Sequence, residues 1–122
     1  MTNYFFDTYA VIELVRGNTK YEHLKDYPII TSIMNLAETY YALLLSNGKE
    51  IADKIIEYLD LTFLEITPKI TLDAALFRFK NKKQELSYID CIGYTLALEN
   101  HLLFLTGDKQ FKDLENVEFI SK

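Results

Sequence analysis

The chain is poor in the residues that build cross-linked, zinc-bound or loop-rich proteins. Its one cysteine, Cys91, excludes an intramolecular disulfide and a thiolate zinc cluster, and it suits a reducing cytoplasm. Four glycines and two prolines in 122 residues leave little material for long loops. Hydrophobic residues make up 49% of the chain and aromatic residues 14%, so we expect one folded domain over residues 1–122.

The chain also lacks long apolar runs and an excess of positive charge. No segment reaches the roughly 18 uncharged apolar residues of a membrane span. The start lacks a basic signal region, and Asp7 and Glu13 interrupt its apolar residues, so we expect a cytoplasmic protein without membrane contacts. The net charge of −5 disfavours a protein that binds nucleic acid by phosphate contacts alone. It leaves open an enzyme that meets phosphates through bound cations.

Short apolar runs alternate with segments of helical spacing along the chain. The apolar runs predict strands at residues 4–6, 29–32, 61–66, 102–106 and 117–120. The spacing predicts helices at 8–15, 33–46, 49–59, 70–80 and 88–100, a polar helical segment at 21–27 and a helical turn at 109–114. Because the apolar runs are continuous, they indicate a parallel sheet covered on both faces, and hence an α/β fold.

Four acidic residues stand at the ends of these elements or on a helix. Asp7 and Asp108 each follow a strand, where capping of the next helical turn is a sufficient explanation. The segment from Ser87 to Asp90 resembles a capping box, with Asp90 at the third helical position. Glu38 lies in the middle of a helix beside its apolar face, so capping does not explain it.

The four carboxylates can converge at one edge of the predicted sheet. Ligand sites in open α/β sheets form beyond the carboxyl ends of the strands, where Asp7 and Asp108 lie and over which Glu38 and Asp90 can lean. Carboxylates crowded there repel one another unless a cation or shared protons relieve them, and oxygen-only ligation suits Mg²⁺ or Mn²⁺. Such an ion orients a phosphodiester and activates water, which is the chemistry of a metal-dependent nuclease.

The order and spacing of these acids are similar to those of a known family. The matching segments are Phe6-Asp7-Thr8, Asn35-Leu36-Ala37-Glu38, Tyr88-Ile89-Asp90 and Leu105-Thr106-Gly107-Asp108-Lys109-Gln110-Phe111. With them the chain resembles the PIN domain family, including the ribonuclease toxins of the VapC type, over nearly its whole length. The resemblance implies a three-layer α/β/α fold around a five-stranded parallel sheet of order 3-2-1-4-5.

The resemblance also implies roles for single residues and partners for the chain. It implies metal-holding and catalytic roles for Asp7, Glu38, Asp90 and Asp108, a supporting role for Thr106, and a place for Thr8 beside the metal shell. It further implies an endonuclease that leaves 5′-phosphate and 3′-hydroxyl ends on RNA, forms a homodimer and is blocked by an antitoxin protein. Tyr9 and residues 93–95 depart from the family pattern, and we expect neither to touch the four acids.

Basic and aromatic side chains outside the acids have two interpretations each. The densest basic group comprises Arg78, Lys80, Lys82 and Lys83, which form either a solvated helix end or an edge that positions RNA phosphates. The tyrosines that are candidates for stacking on RNA bases are Tyr9, Tyr40, Tyr41 and Tyr94, and core packing is the alternative for each.

Other functions for an α/β chain of this length fit less well. A phosphoacceptor receiver domain needs an acidic pair after the first strand, where only Asp7 stands. A haloacid-dehalogenase-type phosphatase needs a second aspartate two residues later, where Tyr9 stands. A PIN-like scaffold that binds RNA or protein without cutting, and a nuclease of RNA processing or quality control, remain alternatives to a toxin.

Overall fold

The computed structural model describes residues 3–121, and its elements follow the predicted alternation closely. The strands are β1 (Tyr4–Phe6), β2 (Ile29–Thr31), β3 (Leu61–Phe63), β4 (Leu103–Thr106) and β5 (Val117–Phe119). The α-helices are α1 (Thr8–Val15), α2 (Ile33–Asn47), α3 (Lys49–Tyr58), α4 (Pro68–Lys80) and α5 (Tyr88–Glu99). Short 3₁₀ helices span Thr19–Leu24, Lys82–Gln84 and Lys109–Phe111. The predicted strand over 61–66 is too long, because β3 ends at Phe63.

The five strands form one parallel sheet of order β3-β2-β1-β4-β5, as predicted. Strand β1 lies at the centre, where Phe5 pairs with Ile30 of β2 on one side and with Phe104 of β4 on the other. The chain therefore turns to opposite sides of β1 when it builds β2 and β4. That change of direction opens a crevice beyond the carboxyl ends of β1 and β4.

Helices cover both faces of the sheet and give three layers. Phe5 and Phe104 are fully buried in a core formed with α4 and α5. Their neighbours along the strands, Phe6 and Leu105, are fully buried on the other face against α1 and the 3₁₀ helix Thr19–Leu24. Since successive strand residues point to opposite faces, continuous apolar runs are what two covered faces require.

Helix α5 packs closely on the centre of the sheet because residue 93 is glycine. A Cβ atom at Gly93 would lie 2.9 Å from Cε1 of Phe5 and 3.2 Å from Cε1 of Phe104. The close approach fixes the height of α5 above β1 and β4. It thereby sets where the first turn of α5, which carries Asp90, meets the edge of the sheet.

Helices α2 and α3 form a hairpin that packs beside α1. Gly48 joins the two helices with a φ of 82°, a backbone conformation that favours glycine. Ile12 of α1, Leu43 of α2 and Ala52 of α3 form the small core between them. No helix within residues 3–121 combines the length and hydrophobicity needed to cross a membrane.

Candidate active site

A cavity of ≈380 Å³ opens beyond the carboxyl ends of β1 and β4. It is lined by Asp7, Thr8, Tyr9, Glu38, Tyr41, Asp90 and Asp108. The structure thus brings all four predicted acids to one place, together with the predicted neighbour Thr8. The two strand-end acids and the two helix acids meet because β1 and β4 are adjacent and α2 and α5 reach the same edge.

Asp7 is the most deeply buried of the four acids, with 5% of its surface exposed. Its Oδ1 accepts a hydrogen bond of 2.8 Å from the amide of Ala10, so Asp7 caps the N-terminus of α1, as predicted. Burial raises the pKa of Asp7 from 3.8 to about 7, against the lowering effect of hydrogen bonds from Thr106 and Ala10. The charges of Asp90 and Asp108 raise it further, so the cavity disfavours a full set of ionised carboxylates.

Asp90 also combines a capping role with a place in the cavity. The amide of Ser87 donates to Oδ2 of Asp90 at 3.0 Å, and the amide of Asp90 donates to Oγ of Ser87 at 3.0 Å. Burial raises the pKa of Asp90, the hydrogen bonds from Ser87 oppose that rise, and the charge of Asp108 adds to it. The predicted capping box is confirmed, and it leaves Asp90 at the cavity wall.

Asp108 and Asp7 share one hydroxyl as a support. The hydroxyl of Thr106 accepts a bond of 3.0 Å from the amide of Asp108, and it also hydrogen bonds with Asp7. Oδ1 of Asp108 accepts a further bond of 3.0 Å from the amide of Gln110. Thr106, which is fully buried, therefore fixes the two strand-end acids relative to each other.

Glu38 is held by a relay of polar side chains that runs across α1 and α2. The hydroxyl of Thr8 donates to Oε1 of Glu38 at 2.6 Å, and Nδ2 of Asn35 donates to the Thr8 hydroxyl at 3.1 Å. Oδ1 of Asn35 in turn accepts a bond of 2.6 Å from the hydroxyl of Ser32. Sequence reasoning missed Ser32 and Asn35, although Ser32 stands at the N-cap of α2 with Asn35 three residues later.

The carboxylates supply suitable donors for a hard divalent cation. Within residues 3–121, no three His, Cys, Asp or Glu side chains are already gathered as a metal-binding group. Mg²⁺ commonly keeps several waters and binds proteins through one or two carboxylates, so a tight triad is unnecessary. A cavity of ≈380 Å³ has room for a hydrated ion. An ion there would offset the repulsion from Asp90 and Asp108, which adds to the effect of burial on the pKa of Asp7.

The predicted basic group lies outside the acidic cavity. Arg78 donates from Nε to the carbonyl of Leu86 at 2.8 Å, and its guanidinium lies 4.4 Å from the ring centroid of Tyr88. Arg78 and Lys82 line a separate cavity of ≈280 Å³ between α4 and the start of α5. Lys80 and Lys83 are exposed. The group therefore flanks the helix that carries Asp90 without entering the site.

The four candidate tyrosines fall into two pairs, one held in structural contacts and one at the acidic cavity. Tyr94 is 4% exposed and donates its hydroxyl to the carbonyl of Glu115, and Tyr40 donates its hydroxyl to Asp53. Both have structural contacts. Tyr9 and Tyr41 line the acidic cavity, so residue 9, which was expected not to touch the acids, shares the cavity wall with them. Thr8 and Tyr9 are the first two residues of α1, which begins directly after Asp7.

Comparisons with known proteins agree with this architecture. The family model described as PIN domain matches residues 4–117. No curated protein matches the sequence. Among solved structures, VapC20 from Mycobacterium tuberculosis, described as a sarcin-ricin loop cleaving toxin, is 18% identical with a TM-score of 0.78, and the match covers 98% of both chains.

Two further solved structures are similar over almost their whole length. A toxin–antitoxin complex from Klebsiella pneumoniae is 17% identical with a TM-score of 0.75, covering 98% of this chain and 100% of that chain. VapBC2 from Rickettsia felis, solved with a DNA fragment from its promoter, is 18% identical with a TM-score of 0.75, covering 98% of both chains. At these identities the likeness supports the fold.

Proposed function

The chain belongs to the PIN domain family, and we propose that it is a Mg²⁺- or Mn²⁺-dependent ribonuclease, the toxin of a toxin–antitoxin pair. The observation that carries the proposal is the convergence of Asp7, Glu38, Asp90 and Asp108 on one cavity at the centre of the sheet edge. Similar folds in a toxin–antitoxin complex and in a toxin that cleaves the sarcin-ricin loop support the biological assignment.

The chain's own residues would position the reaction. Asp7, Glu38, Asp90 and Asp108 would hold the cation, directly or through water, and the bound ion would supply orientation of the phosphodiester and activation of water. Thr106 holds Asp7 and Asp108 at fixed places, and Thr8 holds Glu38. Ligands held by such supporting hydrogen bonds reach the bound geometry with little rearrangement, and removal of the supporting bond weakens metal binding.

The partners in this proposal are RNA, an antitoxin and a second copy of the chain, all in the cytoplasm. Helix α4 exposes a stripe of apolar side chains at helical spacing, with Leu72, Leu76 and Phe79 exposed by 71%, 51% and 67%. A contiguous apolar face of this kind supports a protein partner. Measuring the particle mass in solution tests the homodimer, and a Leu76→Asp variant with the mass of a single chain would support this face as the contact.

Cleavage of a mixed RNA pool tests the enzymatic part. With Mg²⁺ or Mn²⁺ present, Glu38→Gln and Asp90→Asn should each lower the rate on the order of 100-fold or more. Asp113→Asn, which changes an exposed acid, is the matched control and should cut like the wild type. Equal products from all four proteins would reject the nuclease and favour the non-cutting scaffold.

Metal binding has a test that is independent of cleavage. Mn²⁺ should raise the melting temperature of the wild-type chain, since a ligand that binds only the folded state stabilises it. An Asp7→Ala/Asp108→Ala variant should lose that rise and the Asp113→Asn control should keep it. An equal rise in all three would show that the ion binds elsewhere.

A further inference from the structure

Three residues other than acids line the acidic cavity, and two of them make contacts within the chain. Thr8 is bonded to Glu38, and the ring of Tyr9 occupies the space where a side chain at residue 107 would lie. The third is Tyr41, which is 64% exposed. Within the described part of the chain, no lysine or arginine lines this cavity.

Tyr41 is placed at the cavity by the helix that carries Glu38. The two residues are three apart on α2, and residues at this spacing are neighbours on a helix surface. The adjacent Tyr40 turns away and bonds to Asp53 on α3. The large ring of Tyr41 is thus held on the same side as the carboxylates, with most of its surface open to solvent.

The charge of the cavity decides which part of a nucleotide an exposed ring can bind. Four carboxylates without a cationic side chain repel phosphate, so a nucleotide gains little from direct ionic contacts with the lining. Stacking of a base on an aromatic ring does not depend on such contacts, and alanine substitution of a stacking ring weakens binding about tenfold. Isolated exposed aromatic residues are common, and what distinguishes Tyr41 from them is its location at the cavity.

We propose that Tyr41 is a positioning residue that stacks on an unpaired nucleobase beside the scissile phosphate. The inference rests on the ribonuclease function proposed above. The contact needs a base that is not stacked within a duplex, because both faces of a base inside a duplex are covered by its neighbours. The phenol hydroxyl is not needed, since the contact uses the face of the ring.

Steady-state cleavage of a single-stranded RNA tests the role of the ring. Tyr41→Ala should lower kcat/KM about tenfold through a higher KM, and Tyr41→Phe should restore it. Tyr58→Ala removes a 90% exposed tyrosine from α3 outside the acidic cavity and should leave kcat/KM unchanged. Unchanged kcat/KM in Tyr41→Ala, or a Phe variant as poor as the Ala variant, would overturn the proposal.

Fluorescence separates this inference from the ribonuclease proposal. The chain contains no tryptophan, so Tyr41→Trp places a single reporter at the cavity. A short oligoribonucleotide should quench it, whereas inorganic polyphosphate should not, and Tyr58→Trp should respond to neither. Quenching without RNA cleavage by the wild type would reject the nuclease and keep the stacking, whereas cleavage without quenching would reject the stacking alone. A smaller particle mass for Tyr41→Ala would also overturn the inference, because the ring would then contact a second chain.

Discussion

Two charged regions flank helix α5. One is the acidic cavity, and the other is the basic group of Arg78, Lys80, Lys82 and Lys83. Every carboxylate of the cavity accepts a hydrogen bond from the chain: Asp7 from Ala10, Asp90 from Ser87, Asp108 from Gln110 and Glu38 from Thr8. In the basic group, Arg78 has a comparable directed bond, to the carbonyl of Leu86. Lys82 lies 5.2 Å from the ring centroid of Phe79.

The difference shows which region can fix atoms for a reaction and which can only attract a substrate. Carboxylates held by backbone amides and a threonine relay keep defined positions, as a catalytic site requires. Exposed lysines supply a positive field that is screened by salt within about 8–10 Å. Substitutions in the cavity should therefore have large, geometry-dependent effects, and substitutions in the basic group should have small, salt-dependent ones.

The largest expected effect is on stability, from the burial of Asp7 and, to a smaller extent, from the charges of Asp90 and Asp108 beside it. Its pKa rises from 3.8 unfolded to about 7 folded, so the folded chain holds the proton more tightly and wild-type stability should fall as the pH rises from about 4 to about 7. Asp7→Asn removes the charge and keeps a capping side chain, so the variant should lack this fall, which is on the order of 4 kcal/mol.

Urea unfolding at pH 5 and pH 8 without divalent ions measures this difference. Asp7→Ser is the matched control, because serine also caps α1 and cannot ionise. For each variant, the free energy of unfolding minus that of the wild type should be larger at pH 8 than at pH 5. If the free energy of unfolding of the wild type changes with pH as it does in both variants, a raised pKa of Asp7 in the folded chain is contradicted.

The next largest effect should come from the threonine that holds Glu38. Thr8→Val preserves the shape of the side chain but removes the 2.6 Å bond to Glu38 and the acceptor for Asn35. Removal of such a supporting bond typically lowers metal affinity or activity about 10- to 100-fold. Calorimetric titration with Mn²⁺ measures the change in affinity. The control is Thr19→Val, which changes an exposed threonine at the start of the 3₁₀ helix Thr19–Leu24. Equal Mn²⁺ affinity in both variants would show that Thr8 does not support the site.

The smallest effect should come from the basic group. Lys82→Gln and Lys83→Gln should weaken RNA binding slightly and lower the slope of log affinity against log salt by about 0.7 for each single-strand phosphate that is no longer neutralised. The cleavage rate of bound RNA should not change. Binding curves at several salt concentrations measure the slope. If the Lys82→Gln/Lys83→Gln double variant has the same slope as the wild type, these lysines belong to a solvated helix end.

Much of the fold follows from patterns that depend on one segment at a time. Apolar runs such as Tyr4–Phe6 and Leu103–Thr106 are recognisable as strands because both faces of the sheet are covered. The sheet order follows only from the family resemblance, since runs of this kind do not identify their neighbours. The predicted end of β3 is too late because Leu64 and Ile66 are apolar for core packing outside the strand.

The candidate site is only partly predictable for a similar reason. Each of the four acids carries a local signal, a strand end or a helix position, and the sheet topology brings them together. The link from Ser32 through Asn35 to Thr8 crosses two helices, and its formation depends on how α1 and α2 are rotated against each other. The same rotation brings Tyr9 to the cavity. No spacing within one segment encodes that rotation.

The close packing of Tyr9 and Ile120 around Gly107 restricts which residues can occupy position 107. A Cβ at residue 107 would lie 2.1 Å from Cε1 of Tyr9, and also 2.5 Å from the backbone carbonyl oxygen of Ile120. A smaller residue at position 9 removes the first obstacle and leaves the second. A smaller residue at position 9 therefore does not make room for a side chain at residue 107, and the turn that presents Asp108 still requires glycine.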